Sequence, residues 1–545
     1  MQDSLWYNID MEKILTREQL NSLDKDILIE LYLNLAEEMK SLNAKMDILI
    51  EQLSLANTRA FAAKSEKHLT NQDEDQFTFF NEFEAILESK GAFVEPEIKD
   101  VIVAEHKRKK HVGKREEDLK AFPATEVLHE IPKEELDKEF PNGYNRLPDE
   151  VYRKIEIIPA TFTVIEHHLA VYKDKIGDKI LKAPHPVEML NKSIATPSIA
   201  AAIINSKYVN AMPLYRQEQE FASMDLNISR QSMANWVITL SERYLSLVYD
   251  RLKAEIVKTP VIHADETPVM VTKDGREGMH KNYMWVYRTG TMCKAKPAIV
   301  YEYQRTRKAD APQEFLKDFA GKLVCDGYQV YHSIEDKKDG CITVAGCWAH
   351  ARRPFAEVVK SLGQEKAEGT IAYEALAQIS NIYYVDNTLK DLPPVIRKKK
   401  RALLVKPLVN SFFEWIKENN IRVSPGSKTA KGFAYCINQE KYLKVFLTDP
   451  AVPMDNNAAE QAIRSFCVGK KNWKLIDTMN GAQASAMIYS IVETAKANNL
   501  KCYEYFKYLL TEIPKHMDDT NLKFLDNLMP WSKTLPDECR KMIIK

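Results

Sequence analysis

The first 292 residues contain no cysteine. All eight cysteines of this 545-residue chain lie at or beyond Cys293, and no two stand as a Cys-x-x-Cys pair. That argues against a disulfide framework and removes the usual thiolate ligands of a closed zinc site from the N-terminal half. Net charge is missing too, because 77 Lys+Arg balance 77 Asp+Glu. No global basic field draws in nucleic acid, so any such binding must come from local patches. No apolar run approaches the ~18 residues of a membrane span, and no signal-peptide pattern follows Met1. The expected protein is soluble and cytoplasmic, with no membrane partner. Its length leaves room for several domains and a large core.

What is present begins with a heptad repeat. Leu28, Leu35, Leu42 and Leu49 recur every seven residues, and Tyr32, Met39, Met46 and Leu53 follow each by four. Such an a/d seam predicts a coiled coil within residues 1–60, and hence a homo-oligomer. Residues 61–118 read as a charged linker, in which Lys107-Arg-Lys-Lys110 is partly offset by Glu116-Glu-Asp118. Residues 119–184 carry short extended segments and predict a small β-rich module. Helical spacing takes over in 185–256. There Ser229 is placed to cap a helix with Met233, Trp236 and Val237 inward and Arg230, Gln231 and Asn235 outward. A polar turn followed by such a helix is how a helix-turn-helix looks in sequence, although an ordinary helical hairpin fits as well.

Residues 257–355 alternate strands and helices. Three strands, a helix near 309–320, a strand, a helix and a fifth strand predict a mixed five-stranded sheet with helices on both faces. Residues 356–452 read as a helical insertion. A helix and a following loop resume the sheet domain over 453–498, and a helical tail runs through 499–545.

Three stretches end apolar patterns on acids: Val261-Ile-His-Ala-Asp265, Leu323-Val-Cys-Asp326, and a helix start carrying Glu460. Alternation along a strand puts Asp265 and the adjacent Glu266 on opposite faces, so they are not a catalytic pair by themselves. Two carboxylates at strand ends and one on a helix can instead hold two hard divalent cations. Two unpaired carboxylates ~4 Å apart would repel by ~4 kcal/mol at an effective dielectric of ~20, so three converging acids imply a metal. Each acid has a plainer reading: Asp caps turns, and Glu460 suits a capping-box-like helix start. Cys347-x-x-His350 offers only two ligands where zinc normally takes four, so a buried thiol beside a hydrogen-bonded histidine is expected there.

Together these stretches carry a family likeness. His263-Ala-Asp-Glu-Thr-Pro268, Asp326-Gly-Tyr328, Cys347-Trp-Ala-His-Ala-Arg-Arg353, Asp455-Asn-Asn-Ala-Ala-Glu-Gln-Ala-Ile-Arg464 and Gly469-Lys-Lys-Asn-Trp473, in this order, resemble the transposases of the insertion sequence 66 family. The resemblance implies an RNase H-like catalytic core interrupted by a helical insertion. It implies an Asp-Asp-Glu triad, which falls on Asp265, Asp326 and Glu460 as catalytic and metal-holding residues, with two Mg2+ (or Mn2+) ions. It also implies an N-terminal zipper and helix-turn-helix-like DNA binding. The activity expected is binding of terminal inverted repeats, then strand cleavage and transfer. Double-stranded DNA is the partner, both as element ends and as target, with accessory proteins of the same element as further partners and a nucleoid-associated location. Arg352, Arg353, Arg464, Lys470 and Lys471 are expected to join Arg230, Gln231 and Asn235 in contacting DNA.

One departure stands out. Where relatives carry a cysteine-rich zinc module, this chain has Asn142-Gly-Tyr-Asn145 and Tyr172-Lys-Asp-Lys175. No structural zinc is expected there, and Ile155, Ile157, Ile158, Phe162, Val164 and Val171 would have to hold the module by apolar packing. The alternatives to a transposase are a transposase-derived DNA-binding regulator without catalysis, and a nuclease of the same fold that cuts without joining.

Overall fold

The computed structural model describes scattered positions between 24 and 34, most of 128–182, and 183–541 apart from 279, 338 and 339. The four seam leucines and residues 35–127 lie outside the described residues, so the coiled coil and the charged linker do too.

The expected β-rich module is much thinner than its sequence pattern. β1 (Val171–Lys173) and β2 (Ile180–Lys182) pair antiparallel, while 161–170 forms no strand and 151–160 is not described. Phe162, Val164 and Val171 are exposed, which corrects the expectation that they pack inward. Among the described residues the two three-residue strands make a ribbon without a third layer, and such ribbons are marginal in water. Phe162 does meet Phe221 edge-on, with ring centroids 5.5 Å apart.

Four helices follow: α1 (Pro197–Tyr208), α2 (Leu214–Ser223), α3 (Arg230–Leu240) and, after a π-helical turn, α4 (Ser246–Ile256). Ser229 caps α3 by accepting the Ser232 N–H, as its sequence position predicts. Met233 and Val237 are buried, and Trp236 packs partly against the same core.

The sheet is organised on β3 (Val261–Lys273), with β4 (Lys281–Thr289) and β5 (Ile299–Gln304) antiparallel on one side. On the other side β6 (Gly321–Val324) and β7 (Ile342–Ala345) run parallel, giving the order β5-β4-β3-β6-β7. Helices α5 (Asp310–Phe315) and α6 (Gln329–Lys337) make the two crossovers. A sixth strand, β8 (Ile476–Thr478), extends the outer half of β3 in parallel; three residues are too few to show a period in sequence.

Pairing register assigns the faces. Trp285 and Tyr287 stand opposite Glu266 and Ala264, and meet Tyr331 of α6 and Phe315 of α5. Arg288 and Val286 share the other face with His263 and Asp265. The helices Asn457–Trp473 and Met479–Ala497 cover that second face, so both faces are covered as expected.

Past β7 the chain is helical: α7 (Trp348–Leu362), α8 (Ile371–Thr388), α9 (Pro394–Lys400), α10 (Lys406–Asn419) and α11 (Lys428–Leu443). α7 runs across residue 356, so the boundary between sheet domain and insertion falls inside one helix. A second apolar core joins these helices through Trp348, Phe355, Phe412, Phe433 and Phe446. It reaches back to Val261, Val324 and Ala345 of the sheet, which makes the insertion part of the site's foundation.

The chain then returns as α12 (Asn457–Trp473), α13 (Met479–Ala497) and α14 (Cys502–Glu512). α13 covers the exposed edge of β5. Ser490 and Thr494 hydroxyls accept the backbone N–H groups of Tyr301 and Ile299 at 2.8 and 3.0 Å, donors that an edge strand otherwise leaves unpaired.

Candidate active site

Register alone brings the first two acids together. β3 and β6 pair in parallel through His263 and Val324, and then part. Asp265 and Asp326 each lie two residues further on, so the period-2 alternation sets them on one face, just past the point where the parallel pairing stops: Asp265 within β3 and Asp326 beyond the C-terminal end of β6.

The third acid is delivered by a helix pinned to that sheet. Asn456 occupies the N-cap position of α12 but makes no side-chain cap. Instead its Nδ2 donates to the Ala264 carbonyl at 2.8 Å, and its Oδ1 pairs with His263 Nδ1 at 2.9 Å. Further along, Arg288 donates to the Ala458 carbonyl, the Tyr301 hydroxyl to that of Ala462, and Lys470 Nζ to that of Pro268. Glu460 sits in the first turn of this anchored helix with its side chain 8% exposed. Asn456→Ala leaves His263 Nδ1 and the Ala264 carbonyl buried without these partners, at about 1–3 kcal/mol per group. We expect a matching drop in the midpoint of thermal denaturation.

The acids are electrostatically frustrated. Burial first, then the neighbouring Glu266, Asp326 and Glu460, raise the Asp265 carboxyl well above its ordinary range. Burial also raises Asp326. Burial pushes Glu460 up to about 7 against the opposing pull of Arg353, while Asp455 and Asp326 push it further. Its Oε1 is buried with no hydrogen-bond partner. A carboxyl with a raised folded-state pKa holds its proton more tightly folded than unfolded. Its contribution to stability is therefore full below about 4.5, is lost as pH rises toward about 7, and stays lost above. A displacement from 4.5 to about 7 corresponds to about 3 kcal/mol. In chelator, Glu460→Gln should flatten the decline in stability between pH 5 and 8 and make the chain more stable than wild type at pH 8. Denaturant unfolding at the two pH values measures this.

Glu266 takes the opposite face, as alternation predicts, and its partners had no signal in the sequence. It accepts from the Tyr331 hydroxyl at 2.7 Å and from Arg307 Nε at 2.9 Å, and Arg307 lies 3.8 Å from the Tyr328 ring. This glutamate, paired with Arg307, buttresses the middle of β3 next to the Asp326-Gly-Tyr328 turn, where the Tyr328 N–H donates to Asp326 Oδ1 at 2.9 Å.

The expected DNA-contacting residues divide. Arg230, Gln231 and Asn235 are exposed on α3, with Gln231 donating to Asn235 at 3.2 Å. Arg464 and Lys471 are exposed on α12. Arg352 is buried, so its place in a DNA surface is corrected. Arg353 is only 12% exposed and turns inward to lie 4.0 Å from Glu460. Lys470 is half-buried and tied to the Pro268 carbonyl. Periodicity makes a basic helix start look solvated, whereas α7 packs its first turns against the sheet and the insertion. The expected hydrogen-bonded histidine is corrected as well, since His350 Nδ1 is buried without a hydrogen-bond partner.

Acids gathered where β3 and β6 part, under a helix laid across a mixed sheet, define an α/β protein with a carboxylate-centred site. Comparison with known proteins makes this specific: the profile described as Transposase IS66 family matches residues 192–484, and that of the IS66 C-terminal element matches 490–531. The chain belongs to the IS66 transposase family. Similar curated proteins include Uncharacterized protein y4qI of Sinorhizobium fredii, 27% identical over 392 residues and covering 70% of each chain. Uncharacterized protein y4jD of the same organism is 26% identical over 396 residues, covering 71% of this chain and 76% of its own. Among the described residues, no helix is long and apolar enough to cross a membrane.

Proposed function

We propose that this transposase binds the terminal inverted repeats of its insertion sequence, cleaves a strand at each end and joins the freed 3′-hydroxyl to target DNA. In this reading the sheet domain is an RNase H-like core, and Asp265, Asp326 and Glu460 are its triad. The observation that carries it is the register that sets Asp265 beside Asp326, with α12 tethered through Asn456 one residue from Asp265's own strand position.

The residues fit a hard divalent cation. Burial raises all three carboxyls, Asp326 and Glu460 raise Asp265 further, Asp326 raises Glu460, and Glu460 Oε1 has no donor to satisfy it. Bound there, Mg2+ or Mn2+ would neutralise the acids, acidify a water and stabilise charge on a leaving oxygen. Asp265 would hold its ligand oxygen on the long strand β3 and Asp326 at the turn just past β6, and Glu460 would be aimed by the Asn456 tether. Arg464 and Lys471, exposed further along the same helix, would take phosphates on the DNA approaching the acids, and Arg230, Gln231 and Asn235 would face the terminal repeats. The in-line displacement needs the 3′-hydroxyl or water and the scissile phosphate held in register. A DNA surface on the same helix as a catalytic acid provides that.

Incubating the full chain with duplexes bearing element ends tests the reading. Mg2+ should produce nicks at the end sequence that expose a 3′-hydroxyl, and scrambled ends should not be cut; equal cutting of both would oppose end-specific transposition. Two ends must be handled together, so assembly belongs to the same reading. With the heptad seam in place the full chain should sediment as a dimer or larger. Leu35→Lys with Leu42→Lys should shift it toward monomer, because charges in a dimer core cost several kcal/mol. An unchanged sedimentation profile would move the interface elsewhere.

A further inference from the structure

We propose that Cys347, His350 and Glu460 form a binding site for a thiophilic divalent cation of the zinc type, and that filling it withdraws Glu460 from the acids at the strand ends. The second half rests on reading Glu460 as a ligand of the catalytic centre; the first half does not.

The sequence offers only two ligands here, and the fold supplies the third. One ligand atom from each of the three side chains lies within 4.8 Å of the other two. His350 Nδ1 and Glu460 Oε1 are 3.6 Å apart. Around a tetrahedral ion with bonds of about 2.0–2.3 Å, ligand atoms stand about 3.3–3.8 Å from one another. Closing the cluster therefore requires only small side-chain shifts. Three protein ligands leave the fourth position of such an ion to water.

The unpaired atoms point the same way. Glu460 Oε1 and His350 Nδ1 are both buried without a hydrogen-bond partner, a costly condition that one shared cation relieves at a stroke. The cation that faces Glu460 in its absence is Arg353, 4.0 Å away and too far to hydrogen-bond. Burial, with Arg353 adding to it, lowers the His350 pKa to about 3, so the imidazole is neutral and its lone pair is available.

Sulfur selects the ion. Cys347 is the N-cap residue of α7, and its Sγ accepts the Asn456 N–H at 3.2 Å, where α12 begins. Burial, with Glu460 and Asp455 adding to it, raises the Cys347 thiol well above its ordinary range against the pull of the Asn456 and His350 N–H groups, so the sulfur keeps its proton until a thiophilic cation displaces it. Loading the site transfers the thiol proton to solvent. Thiolate with imidazole suits zinc and cobalt, whereas magnesium prefers all-oxygen ligands. Mg2+ at the acids and a zinc-like ion at the cysteine would then compete for one glutamate, and zinc would act as an inhibitor.

Co2+ titrated into the full chain tests the binding half. We expect one equivalent, added without Mg2+, to give thiolate-to-cobalt charge-transfer absorption, and excess Mg2+ to raise the Co2+ concentration needed without removing the band. Cys347→Ser and Cys347→Ala should abolish that band. His350→Gln should weaken binding about tenfold or more, and Asp326→Asn should leave the band in place. No band with folded wild type, or a band that persists without Cys347, would overturn the site. For the second half, Zn2+ should inhibit Mg2+-supported DNA cleavage at least tenfold less in Cys347→Ala than in wild type. Full cleavage by zinc-loaded wild type would overturn the withdrawal of Glu460. A cobalt band in a chain that never cleaves DNA would leave the site standing and count against the transposase reading alone.

Discussion

Replacing any of Asp265, Asp326 or Glu460 with Ala is expected to reduce cleavage and joining by about 10^3-fold or more, because charge stabilisation at a metal-holding centre is worth several kcal/mol. DNA binding should fall far less, since affinity comes chiefly from phosphate contacts made elsewhere. The three variants should also be at least as stable as wild type in chelator, because each removes a carboxyl whose charged form is opposed by burial, and for Asp265 and Glu460 by Asp326 as well. That combination, inactive yet not destabilised, separates a functional cluster from a structural one. An acid needed only to cap a turn would show the reverse, with lost stability and surviving activity. Assays of nicking and joining on labelled ends, paired with thermal unfolding in chelator, read both sides.

The largest expected loss of stability lies far from these acids. Arg401 is fully buried in the helical insertion and forms a two-pronged pair with Asp386, at 2.7 Å from Nε and 2.9 Å from the terminal nitrogen. Its remaining donors reach the carbonyls of Phe446, Asp449 and Val452. The guanidinium therefore ties α8 to the segment leading into Asp455 and α12. Asp386→Ala leaves that charge buried with only carbonyl partners, and should cost about 3–5 kcal/mol. Replacing both partners with apolar residues, Asp386→Leu with Arg401→Met, should recover much of the loss, because the pair itself carries a large desolvation cost. Denaturant unfolding of single and double variants tests this. A double variant no better than the single would show that the carbonyl ties, rather than the ion pair, hold the insertion.

The same arginine shows where sequence reasoning stops. Arg397-Lys-Lys-Lys-Arg401 looks like a solvated basic run, yet Arg397 and Arg401 are both buried and spent on backbone carbonyls of 390–392 and 446–452. Nothing local in the run marks that, because the partners lie up to 53 residues away. Asn456 misleads in a similar way. Asn before a helix reads as an N-cap, but here tertiary bonds to His263 and Ala264 take the side chain. By contrast, elements governed by short-range periodicity are legible. The run of strands and helices over 261–345, the divergence of Asp265 from Glu266, and the Ser229 cap all follow from spacing and residue type. The extended pattern read into 161–166 forms no strand, because alternation does not say whether a partner strand exists, while 153–160 lies outside the described residues. Cys347 and His350 fall between these cases: their i, i+3 spacing is visible, but the third ligand arrives on a separate helix.

The most direct measurement of the central claim starts from a pre-cleaved element end. A duplex carrying a terminal repeat with an exposed 3′-hydroxyl, mixed with the full chain and a supercoiled target plasmid, isolates joining from cutting. With Mg2+ or Mn2+ the account predicts covalent joining of that 3′ end to the plasmid, none in chelator, and none with Asp265→Ala, Asp326→Ala or Glu460→Ala. Joining that continues in chelator or in these variants would contradict it, as would a wild-type chain that nicks element ends but never joins them.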